Sequence, residues 1–392
     1  MRVLYVGAFR FPKYDAAAAR VLNIARAMRE CGHEVEFISW GGKFEDPRKR
    51  AGEFDLFDGF RFTITEELDS KGSFWTKVKN RVNRGSKSLT ILKNSCNPDL
   101  IIAYNPDLFF NFKLKNFASQ YKIKYANDIT EWSDKNELRL FERITNYLNL
   151  KHLTHHIKNR ILISSYLANY FSSGNNIIVP PLCDSSESKW RQGASTAKEL
   201  AGEFDGITLI YAGNPARKDA VHYVINAVQR VIDDGANIRL LILGVERERY
   251  LNSFADLIIK GELSNRIQFL GLVPQDEVPS YYALSDFMVL VREQTRKSNA
   301  GFPTKFVESF TSGTPVIANL TSDLRYYLFD GKTGFVVKEP TEESVYEILK
   351  KKVVCLTSDK LNQMKLNVRQ ESKRLDYHFF IKIINTFIKD LK

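Results

Sequence analysis

The feature that most constrains the fold of this chain is an alternation of short apolar runs with polar or helical segments. The chain opens with the run RVLYVGAF, and Leu22, Ala25 and Met28 then follow at helical spacing until Gly32. The run EVEFISW comes next, so the pattern predicts a strand, a helix and a parallel strand. Such units are right-handed by default and assemble into a doubly wound sheet. Further strands are predicted at 100–105, 123–129, 160–165 and 176–181.

A second series of apolar runs begins in the middle of the chain and predicts a second parallel sheet. Its members lie at 207–213, 238–244, 267–271, 286–291 and 315–319. A chain of 392 residues has the length of two domains. We therefore expect an α/β fold of two Rossmann-like, doubly wound domains that face a cleft, with residues 1–185 in the first and 186–374 in the second. The polar segment 183–203 is the predicted connection, and the amphipathic segment 375–392 is expected to pack back on the first domain.

The composition is that of a folded globular protein, with 44% hydrophobic and 26% charged residues. No apolar stretch reaches the roughly 18 to 20 residues of a membrane span, and the first residues do not have the pattern of a signal peptide. We therefore expect a cytoplasmic protein. The four cysteines form no C-x-x-C pair, which argues against a zinc site or a disulfide framework.

The net charge of +11 is concentrated in one segment of the first half. Residues 71–124 contain eleven Lys or Arg and two Asp, which indicates an anionic partner. Within this segment, residues 73–93 have the pattern of an interfacial helix at an anionic membrane surface. The apolar face consists of Phe74, Trp75, Val78 and Val82, and the basic side chains are those of Lys77, Lys79, Arg81 and Arg84. A helix packed on the first sheet, with its cations in water, has the same pattern, and both interpretations stay open at this point.

Ligands of doubly wound sheets bind beyond the carboxyl ends of the strands, so the loops that leave those ends are candidate sites. One such loop places Gly213 and Asn214 after a strand, and Arg217 and Lys218 before a helix. Two cations at a helix start add their charge to the free N–H groups and the helix dipole, and together these can hold a diphosphate. A solvated turn with basic residues fits this loop equally well.

Another loop runs from a Gly-Pro segment into a short helix and then into a buried strand. Lys305 lies one turn before Glu308 on this helix and is expected to face phosphate. Glu308 can accept hydrogen bonds from both hydroxyls of a ribose. An acid near a helix start is also simply a favourable partner of the helix dipole.

These motifs together resemble the carboxyl-terminal half of GT4-type glycosyltransferases. The resemblance rests on G-x(4)-K from Gly213, the G-x-(V/P) turn at Gly271, P-x-K-x-x-E from Pro303 and G-x-P-V-I-A from Gly313. The segments CGHEVEFIS and NIIVPPLCD extend it into the first half. The resemblance implies a GT-B fold, a nucleotide-diphosphate-sugar donor, a retaining transfer and no metal ion. The P-x-K-x-x-E form further resembles a branch that acts in bacterial capsule, lipopolysaccharide or exopolysaccharide synthesis.

The resemblance also implies roles for individual residues. Lys218 and Lys305 would bind donor phosphates and support catalysis, Glu308 would bind the donor ribose, and the turn from Gly271 to Val273 would hold the nucleobase through its backbone. Asn214 stands where the family usually has Arg, so one phosphate contact would be either weaker or supplied by Arg217. The full set of donor-binding candidates is Gly213, Asn214, Arg217, Lys218, Gly271, Val273, Ser298, Asn299, Gly301, Phe302, Thr304, Lys305 and Glu308.

The chain departs from the family at a pair of glutamates separated by seven residues. Ala300 stands where the first of them is expected, and Glu308 is the second. In the family this acid addresses hydroxyls of the donor sugar, so its replacement leaves the identity of the donor open. Ser298 or Asn299 would replace it as neutral hydrogen-bonding groups. The missing acid fits a non-catalytic nucleotide-sugar-binding subunit, which stays open as an alternative. It counts against the other alternative, a nucleotide-sugar epimerase of similar fold, which needs several acids or histidines around the sugar.

The first half is expected to bind the acceptor, a saccharide or a lipid-linked saccharide. Asp15, Ala16 and Ala17 lie where the family has a small-residue loop, although Asp15 fits a helix N-cap at least as well. Asp128 and Glu131 follow a predicted strand and are placed at the rim of the cleft. Asp128 has a catalytic role by resemblance, and its alternative role is again an N-cap.

Neither a cofactor nor a metal is predicted. His152, His155 and His156 share a helical face, but no acid is spaced to complete a metal site. Cations and helix dipoles can stabilise the departing diphosphate without a metal ion. The expected partners are the nucleotide-sugar donor, the acceptor and an anionic membrane surface contacted through residues 73–93, with no nucleic acid. The expected place is the cytoplasm, with peripheral association at the inner membrane face.

Overall fold

The computed structural model describes residues 1–67, 73–191, 195–215, 219–258 and 262–392. The chain divides into two compact units, one formed by Met1–Leu182 with Tyr377–Lys392 and the other by Cys183–Asp376. The boundary predicted after residue 185 therefore lies three residues beyond the division in the structure. Both units contain a parallel sheet flanked by helices, which confirms the predicted α/β fold class.

The first unit alternates strands and helices along the chain. Its elements are β1 (Arg2–Gly7), α1 (Ala16–Glu30), β2 (Glu34–Ser39), β3 (Phe54–Phe57), β4 (Phe60–Ile64), α2 (Phe74–Asn83), α3 (Ser86–Ser95), β5 (Leu100–Tyr104), α4 (Leu108–Gln120), β6 (Lys124–Ile129), α5 (Leu140–Leu148), β7 (Asn159–Leu162), α6 (Ser165–Tyr170) and β8 (Asn175–Ile178). A helix near the end of the chain belongs to this unit as well.

The sheet of the first unit has the strand order β3-β4-β2-β1-β5-β6-β7-β8. All neighbouring pairs are parallel except β3 and β4, which form an antiparallel hairpin at the edge. Asp58 and Gly59 make its two-residue turn, with φ of 50° and 76°. An Asp-Gly turn between apolar runs is a strong hairpin signal, and the sequence analysis missed both strands.

Apolar side chains fill both faces of this sheet. On one face, residues such as Tyr5, Phe11 and Phe37 pack under α1, and on the other Leu4 and Ile101 share a core cluster with Phe110 of α4. Strands buried on both faces read as continuous apolar runs, which is why β1, β2 and β5 were recognisable in the sequence.

The segment predicted as one interfacial helix is two helices in the structure. The α2 helix ends before Arg84, and Gly85, with φ of 79°, precedes α3. Arg81 forms an ion pair with Glu142 (2.8 Å), and Arg84 forms one with Asp107 (3.4 Å). Two of the four cations expected at a membrane surface are therefore engaged by acids of the same unit. Trp75 is 77% exposed, and the side chain of Phe74 lies outside the described residues.

The second unit repeats the alternation. Its elements are α7 (Ser195–Ala201), β9 (Ile207–Ala212), α8 (Val221–Asp233), β10 (Ile238–Leu243), α9 (Arg247–Phe254), β11 (Ile267–Phe269), α10 (Val278–Leu284), β12 (Phe287–Leu290), α11 (Arg296–Ala300), α12 (Thr304–Thr311), β13 (Val316–Asn319), β14 (Gly334–Val337), α13 (Glu342–Ile348) and α14 (Ser358–Ser372). The strand order is β11-β10-β9-β12-β13-β14, and every pair is parallel. The β14 strand was not predicted.

The polar segment 183–203 is not a plain connection. It contains α7, whose Ala197 and Ala201 are buried and which packs with α10 inside the second unit. The prediction was wrong here because a helix with a narrow apolar face needs few large aliphatic residues when its partner supplies them.

The last helix, α15 (Tyr377–Lys389), packs against α1 of the first unit. Its buried residues join the core beneath α1, and they include Phe380, Ile384 and Phe387. Among the described residues, we find no helix with the length and hydropathy needed to cross a membrane.

Candidate functional site

Three loops of the second unit meet where β9, β10 and β11 end. Gly213, Gly244 and Gly271 follow these strands, and the N–H of Gly244 donates to the carbonyl of Gly271 at 2.6 Å. All three have positive φ. A Cβ added to Gly244 would lie 2.6 Å from the carbonyl carbon of Gly213. Only glycine therefore allows these backbones to approach each other at the carboxyl edge of the sheet.

Lys305 reaches this edge from α12. A Cβ added to Gly213 would lie 3.3 Å from the Lys305 ammonium, so the loop and the cation are in direct proximity. The ammonium donates to the Tyr211 hydroxyl and to Asp219, both at 2.7 Å. Its side chain keeps 16% of its surface exposed. The sequence-predicted residues Gly213 and Lys305 are thus brought together by the fold.

Asp219 is the acid that organises this cluster. Its carboxylate also pairs with Arg292 (3.1 Å) and accepts from the Tyr211 hydroxyl (2.9 Å). Burial, followed by the neighbouring Asp219, raises the pKa of Tyr211 well above its ordinary value, so Tyr211 is a neutral donor. Two cations around one acid leave the cluster with an excess positive charge, which favours an anion.

Glu308 lies one turn after Lys305 on the same helix face. Burial of its carboxyl raises its pKa, and the charges of Lys189 and Lys305 act in the opposite direction. Near the start of α12, the helix dipole also favours anionic groups. The face therefore presents a cation and an acid side by side, which suits a ligand with both anionic groups and hydroxyls.

The hydroxyl of Ser298, predicted to face the donor, is already hydrogen-bonded within the protein. This hydroxyl donates to the carbonyl of Glu293 at 2.5 Å and accepts from the N–H of Thr295 at 2.9 Å, and the residue is fully buried. It closes the capping box at the start of α11. The prediction that Ser298 faces a ligand was wrong, because this local cap occupies its hydroxyl.

Asn299 and Ala300 differ in what they can offer. The side-chain oxygen of Asn299 accepts from the N–H of Ser322 at 3.1 Å, and the residue is partly exposed. Ala300 is fully buried. An acid at position 300 of this fold would have to lose its hydration, so the alanine suits the local packing.

The remaining candidates after α11 contribute unequally. Gly301 ends α11, and Thr304 begins α12 with intermediate exposure. The ring of Phe302 is buried against Phe306 and Tyr327 and is a core side chain, contrary to its assignment as a ligand contact. Its backbone still lies in the loop that precedes α12.

Two further candidates lie close in sequence to Gly213 and Gly271. Asn214 is exposed, and Val273 is partly exposed beside Leu272, which is 85% exposed. Glu246, which the sequence analysis missed, approaches the Cα of Gly271 so closely that an added Cβ would clash with its carboxylate. Arg217 and Lys218 lie outside the described residues.

In the first unit, Asp128 is not at a rim. It is part of β6, it is fully buried, and its carboxylate forms a buried ion pair with Arg20 at 2.8 Å. The Tyr5 hydroxyl donates to it at 2.5 Å. The predicted position at a rim was wrong, as was the N-cap alternative, because a strand position has no helix to cap. The catalytic role that the resemblance gives to Asp128 stays a prediction. In this arrangement Asp128 compensates a buried cation.

The other acceptor-side candidates also have definite places. Asp15 caps α1, since its carboxylate accepts from the N–H of Ala18 at 2.7 Å, and it also accepts from the N–H of Arg10. Ala16 and Ala17 form the first turn of α1. Glu131 is exposed and lines a cavity of about 250 Å³ at the carboxyl ends of β5 and β6.

Five residues at this edge of the sheet were not predicted from the sequence, namely Tyr211, Asp219, Gly244, Glu246 and Arg292. Gly244 and Glu246 directly follow an apolar run, so the rule that ligands bind at strand ends could have found them. The other three become recognisable only through their mutual contacts. Among the described residues, no group of three His, Cys, Asp or Glu is arranged to hold a metal ion, and the predicted independence from metal stays a prediction.

This geometry places the chain in a structural class. A sucrose-phosphate synthase from Thermosynechococcus elongatus is similar with a TM-score of 0.76 at 13% identity, covering 100% of this chain and 98% of that chain. Anabaena Alr3699/HepE in complex with UDP and glucose is similar with a TM-score of 0.72 at 15% identity, covering 100% of both chains. The chain therefore has the two-domain α/β fold of GT-B glycosyltransferase structures.

The sequence comparisons concern one part of the chain. Residues 206–352 match the family model described as Glycosyl transferases group 1. A D-inositol 3-phosphate glycosyltransferase of Corynebacterium urealyticum is 26% identical over 162 residues, which is 38% of this chain. An uncharacterized 41.2 kDa protein in the cps region of Klebsiella pneumoniae is 26% identical over 143 residues, 36% of this chain. The chain spans 36% of the length of each of these relatives.

Proposed function

We propose that this chain is a glycosyltransferase that moves a sugar from a nucleoside-diphosphate donor to an acceptor hydroxyl, with retention of the anomeric configuration. The observation that carries the proposal is the position of Lys305, whose ammonium lies beside Gly213 at the carboxyl edge of the second sheet. Glu308 follows one turn later on the same helix. The match of residues 206–352 to the group 1 family model supports the same activity.

The arrangement suits a reaction in which charge builds on a departing diphosphate. The acceptor oxygen bonds to the anomeric carbon, the bond from that carbon to the diphosphate oxygen breaks, and the acceptor's proton leaves with the departing phosphate oxygen. Lys305, with Arg217 and Lys218 of the preceding loop, would stabilise the developing negative charge. Because these cations and the start of α12 carry that charge, the proposed reaction needs no metal ion and no cofactor.

Different residues in and around α11 and α12 would recognise different parts of the donor. Glu308 would accept hydrogen bonds from the ribose hydroxyls, and the turn from Gly271 to Val273 would border the nucleobase. Asn299, which precedes Ala300, keeps partial exposure, so it would address a hydroxyl of the transferred sugar. A neutral amide in place of an acid favours a sugar that offers both a donor and an acceptor at that position.

The acceptor is proposed to be a saccharide or a lipid-linked saccharide of bacterial surface-polysaccharide synthesis, met at the inner membrane face. Support comes from the similarity to a protein of the Klebsiella cps region and from the basic character of residues 71–124. The GT4-type assignment belongs to the same proposal. Its motifs are the G-x(4)-K, P-x-K-x-x-E and G-x-P-V-I-A segments.

The test is transfer from a panel of nucleotide sugars, each labelled in the sugar, to saccharide acceptors and to a bacterial lipid extract in excess EDTA. A transferase yields labelled acceptor and nucleoside diphosphate in equal amounts, and proton NMR of the product shows retention. Donor that binds without yielding either product would identify a non-catalytic binding subunit. Conversion of the donor into an epimer without transfer would identify an epimerase.

A further inference from the structure

The α5 helix of the first unit has an apolar face that remains open to solvent. Leu140 is 71% exposed, Ile144 is 51% exposed, Tyr147 is 52% exposed and Leu148 is 38% exposed. Their spacing of four, seven and eight residues places them on one side of the helix. Scattered exposed apolar residues are ordinary, but four on a single helix face form a contiguous patch, which marks an interaction surface.

The opposite face of α5 is polar and faces a cavity. Glu142, Asn146 and Asn149 line this space of about 250 Å³. The ends of β5 and β6 contribute Asn105 and Glu131 to its other wall. The carboxyl end of a parallel sheet is where ligands of such units bind, so the cavity has the position and the polar lining of a site for a hydroxyl-rich molecule.

Contacts of the inner face hold α5 in place. Glu142 accepts from the Arg81 guanidinium at 2.8 Å and from the N–H of Arg139 at 3.2 Å. Asn149, just beyond the last residue of α5, donates to the carbonyl of Pro106 at 2.7 Å. The helix is therefore fixed on its polar side, and the exposure of its apolar side is not the result of a detached segment.

The surroundings of the apolar face are basic. Three exposed cations accompany α5, with Arg139 just before its start, Arg143 within it and Lys151 just past its end. Glu142 is the one acid between Arg139 and Lys151, and it belongs to the inner face. An apolar helix face bordered by cations complements a bilayer surface that contains anionic lipids.

We propose that the outer face of α5 docks on an anionic bilayer surface, and that the cavity on its inner face takes the saccharide head group of a lipid-linked acceptor at that surface. This rests on the proposed glycosyl transfer. A helix with its side chains is about 10 Å across, so the cavity would lie about one helix diameter above the lipid, within reach of a head group. The proposed docking surface thus includes the outer face of α5 and is not limited to the segment 73–93.

Vesicle sedimentation of the full chain tests the docking. Wild type is expected to pellet with vesicles of phosphatidylcholine and phosphatidylglycerol at low salt, and to bind pure phosphatidylcholine at least about tenfold more weakly. A Leu140→Gln/Ile144→Gln variant should lose binding at least about tenfold at every salt concentration. An Arg139→Gln/Arg143→Gln variant should lose binding mainly at low salt.

The matched controls alter equally exposed residues elsewhere. Leu56 of β3 and Leu366 of α14 are exposed leucines, and Lys360 of α14 is an exposed lysine. A Leu56→Gln/Leu366→Gln variant and a Lys360→Gln variant should pellet like wild type. Loss of binding in these controls to the same degree as in the α5 variants would overturn the assignment of the surface.

Different measurements test the membrane docking and the glycosyl transfer. The α5 outer-face variants should keep wild-type nucleotide affinity and wild-type transfer to a water-soluble saccharide, while transfer to a vesicle-embedded acceptor falls. Asn146→Ala, on the cavity side, should instead keep vesicle binding and raise the KM for both acceptors.

Wild type that transfers sugar but ignores anionic vesicles at low salt would overturn the docking and leave the transferase intact. Vesicle binding without any transfer would do the reverse. A wild-type dimer that the outer-face variants convert to a monomer would identify a second copy of the chain as the partner and overturn the membrane assignment.

Discussion

Each unit contains a buried charge cluster, and the two clusters are built in opposite ways. In the first unit, Asp128 and Arg20 neutralise each other, with side-chain exposures of 0% and 2%. In the second, Asp219 faces both Arg292 and Lys305, and Lys305 keeps part of its surface open beside Gly213. A balanced and sealed pair supports the fold, whereas an unbalanced and partly open cluster at a strand end is available to an anionic ligand.

The largest effect is expected when the sealed pair is broken. Asp128→Asn leaves the Arg20 guanidinium buried without a counter-charge, which should lower the free energy of unfolding by about 3 to 5 kcal/mol. Chemical denaturation measures this. Asp46→Asn, which removes an exposed pair with Arg48, should leave the denaturation midpoint close to that of wild type. If Asp128→Asn folds with wild-type stability but loses turnover, Asp128 is catalytic and the contrast between the clusters fails.

Changes to the cluster around Asp219 and Lys305 should instead alter ligand affinity. Lys305→Ala should weaken the binding of nucleoside diphosphate and of inorganic pyrophosphate by about 1.5 to 3 kcal/mol each, since a charge-assisted contact to phosphate is lost. Stability should change little, because Arg292 still pairs with Asp219. Calorimetric titration gives both affinities. The control is Lys350→Ala, an exposed lysine of the same unit paired with Asp234. Equal affinities in the two variants would contradict the phosphate role of Lys305.

Glu308→Gln separates ribose from phosphate. The variant should bind nucleoside diphosphate about tenfold more weakly, which corresponds to about 1.4 kcal/mol, and should bind pyrophosphate like wild type. A carboxylate that accepts ribose hydroxyls has no part in pyrophosphate binding. Weakening of both ligands to the same degree would move Glu308 out of the ribose role.

The same variant tests the electrostatics of Glu308. Burial raises its pKa, so the folded protein holds this proton more tightly than the unfolded chain. The protonated form is therefore favourable at low pH, and its contribution is lost as pH rises through the folded pKa. Relative to Glu308→Gln, wild type should lose stability as pH rises above the ordinary carboxyl pKa. Thermal unfolding of both proteins between pH 4 and pH 7.5 measures the difference, and parallel curves would contradict the burial of the charge.

The smallest effects distinguish two neighbours on α11. Ser298→Ala should lower stability by about 1 kcal/mol through the lost cap, with unchanged donor affinity. Asn299→Ala should change stability by less than that and reduce kcat/KM for the donor. Denaturation and initial-rate measurements provide the two readouts. The reverse pattern would return Ser298 to the ligand site.

The sequence predicted what depends on local pattern. The strands buried on both faces were recognisable as apolar runs, and Lys305 and Glu308 were found together because three residues of spacing place them on one helix face. Gly213 and Gly271, which follow two of the strands, marked the edge at which ligands bind in such sheets. The hairpin around Asp58 and Gly59 carried a local signal too, and it was overlooked.

The parts that could not be predicted depend on distant partners. Arg20 and Asp128 are 108 residues apart in the chain, and Lys305 and Asp219 are 86 residues apart. Nothing in the sequence around Asp128 indicates that a buried arginine pairs with it, so the acid was predicted at the rim of the cleft. Ser298 failed for a local reason, since its capping box with Thr295 competes for the same hydroxyl that a ligand would use.

The central claim is that the cations at the carboxyl edge of the second sheet carry the charge of the departing diphosphate without a metal ion. The most direct test is the rate of donor turnover in excess EDTA for wild type, Lys305→Ala and Lys350→Ala. Wild type and Lys350→Ala should turn over at the same rate with or without EDTA, and Lys305→Ala should lose at least about a hundredfold in kcat. Wild-type turnover that EDTA abolishes and manganese or magnesium restores, or a Lys305→Ala variant as fast as wild type, would contradict the account.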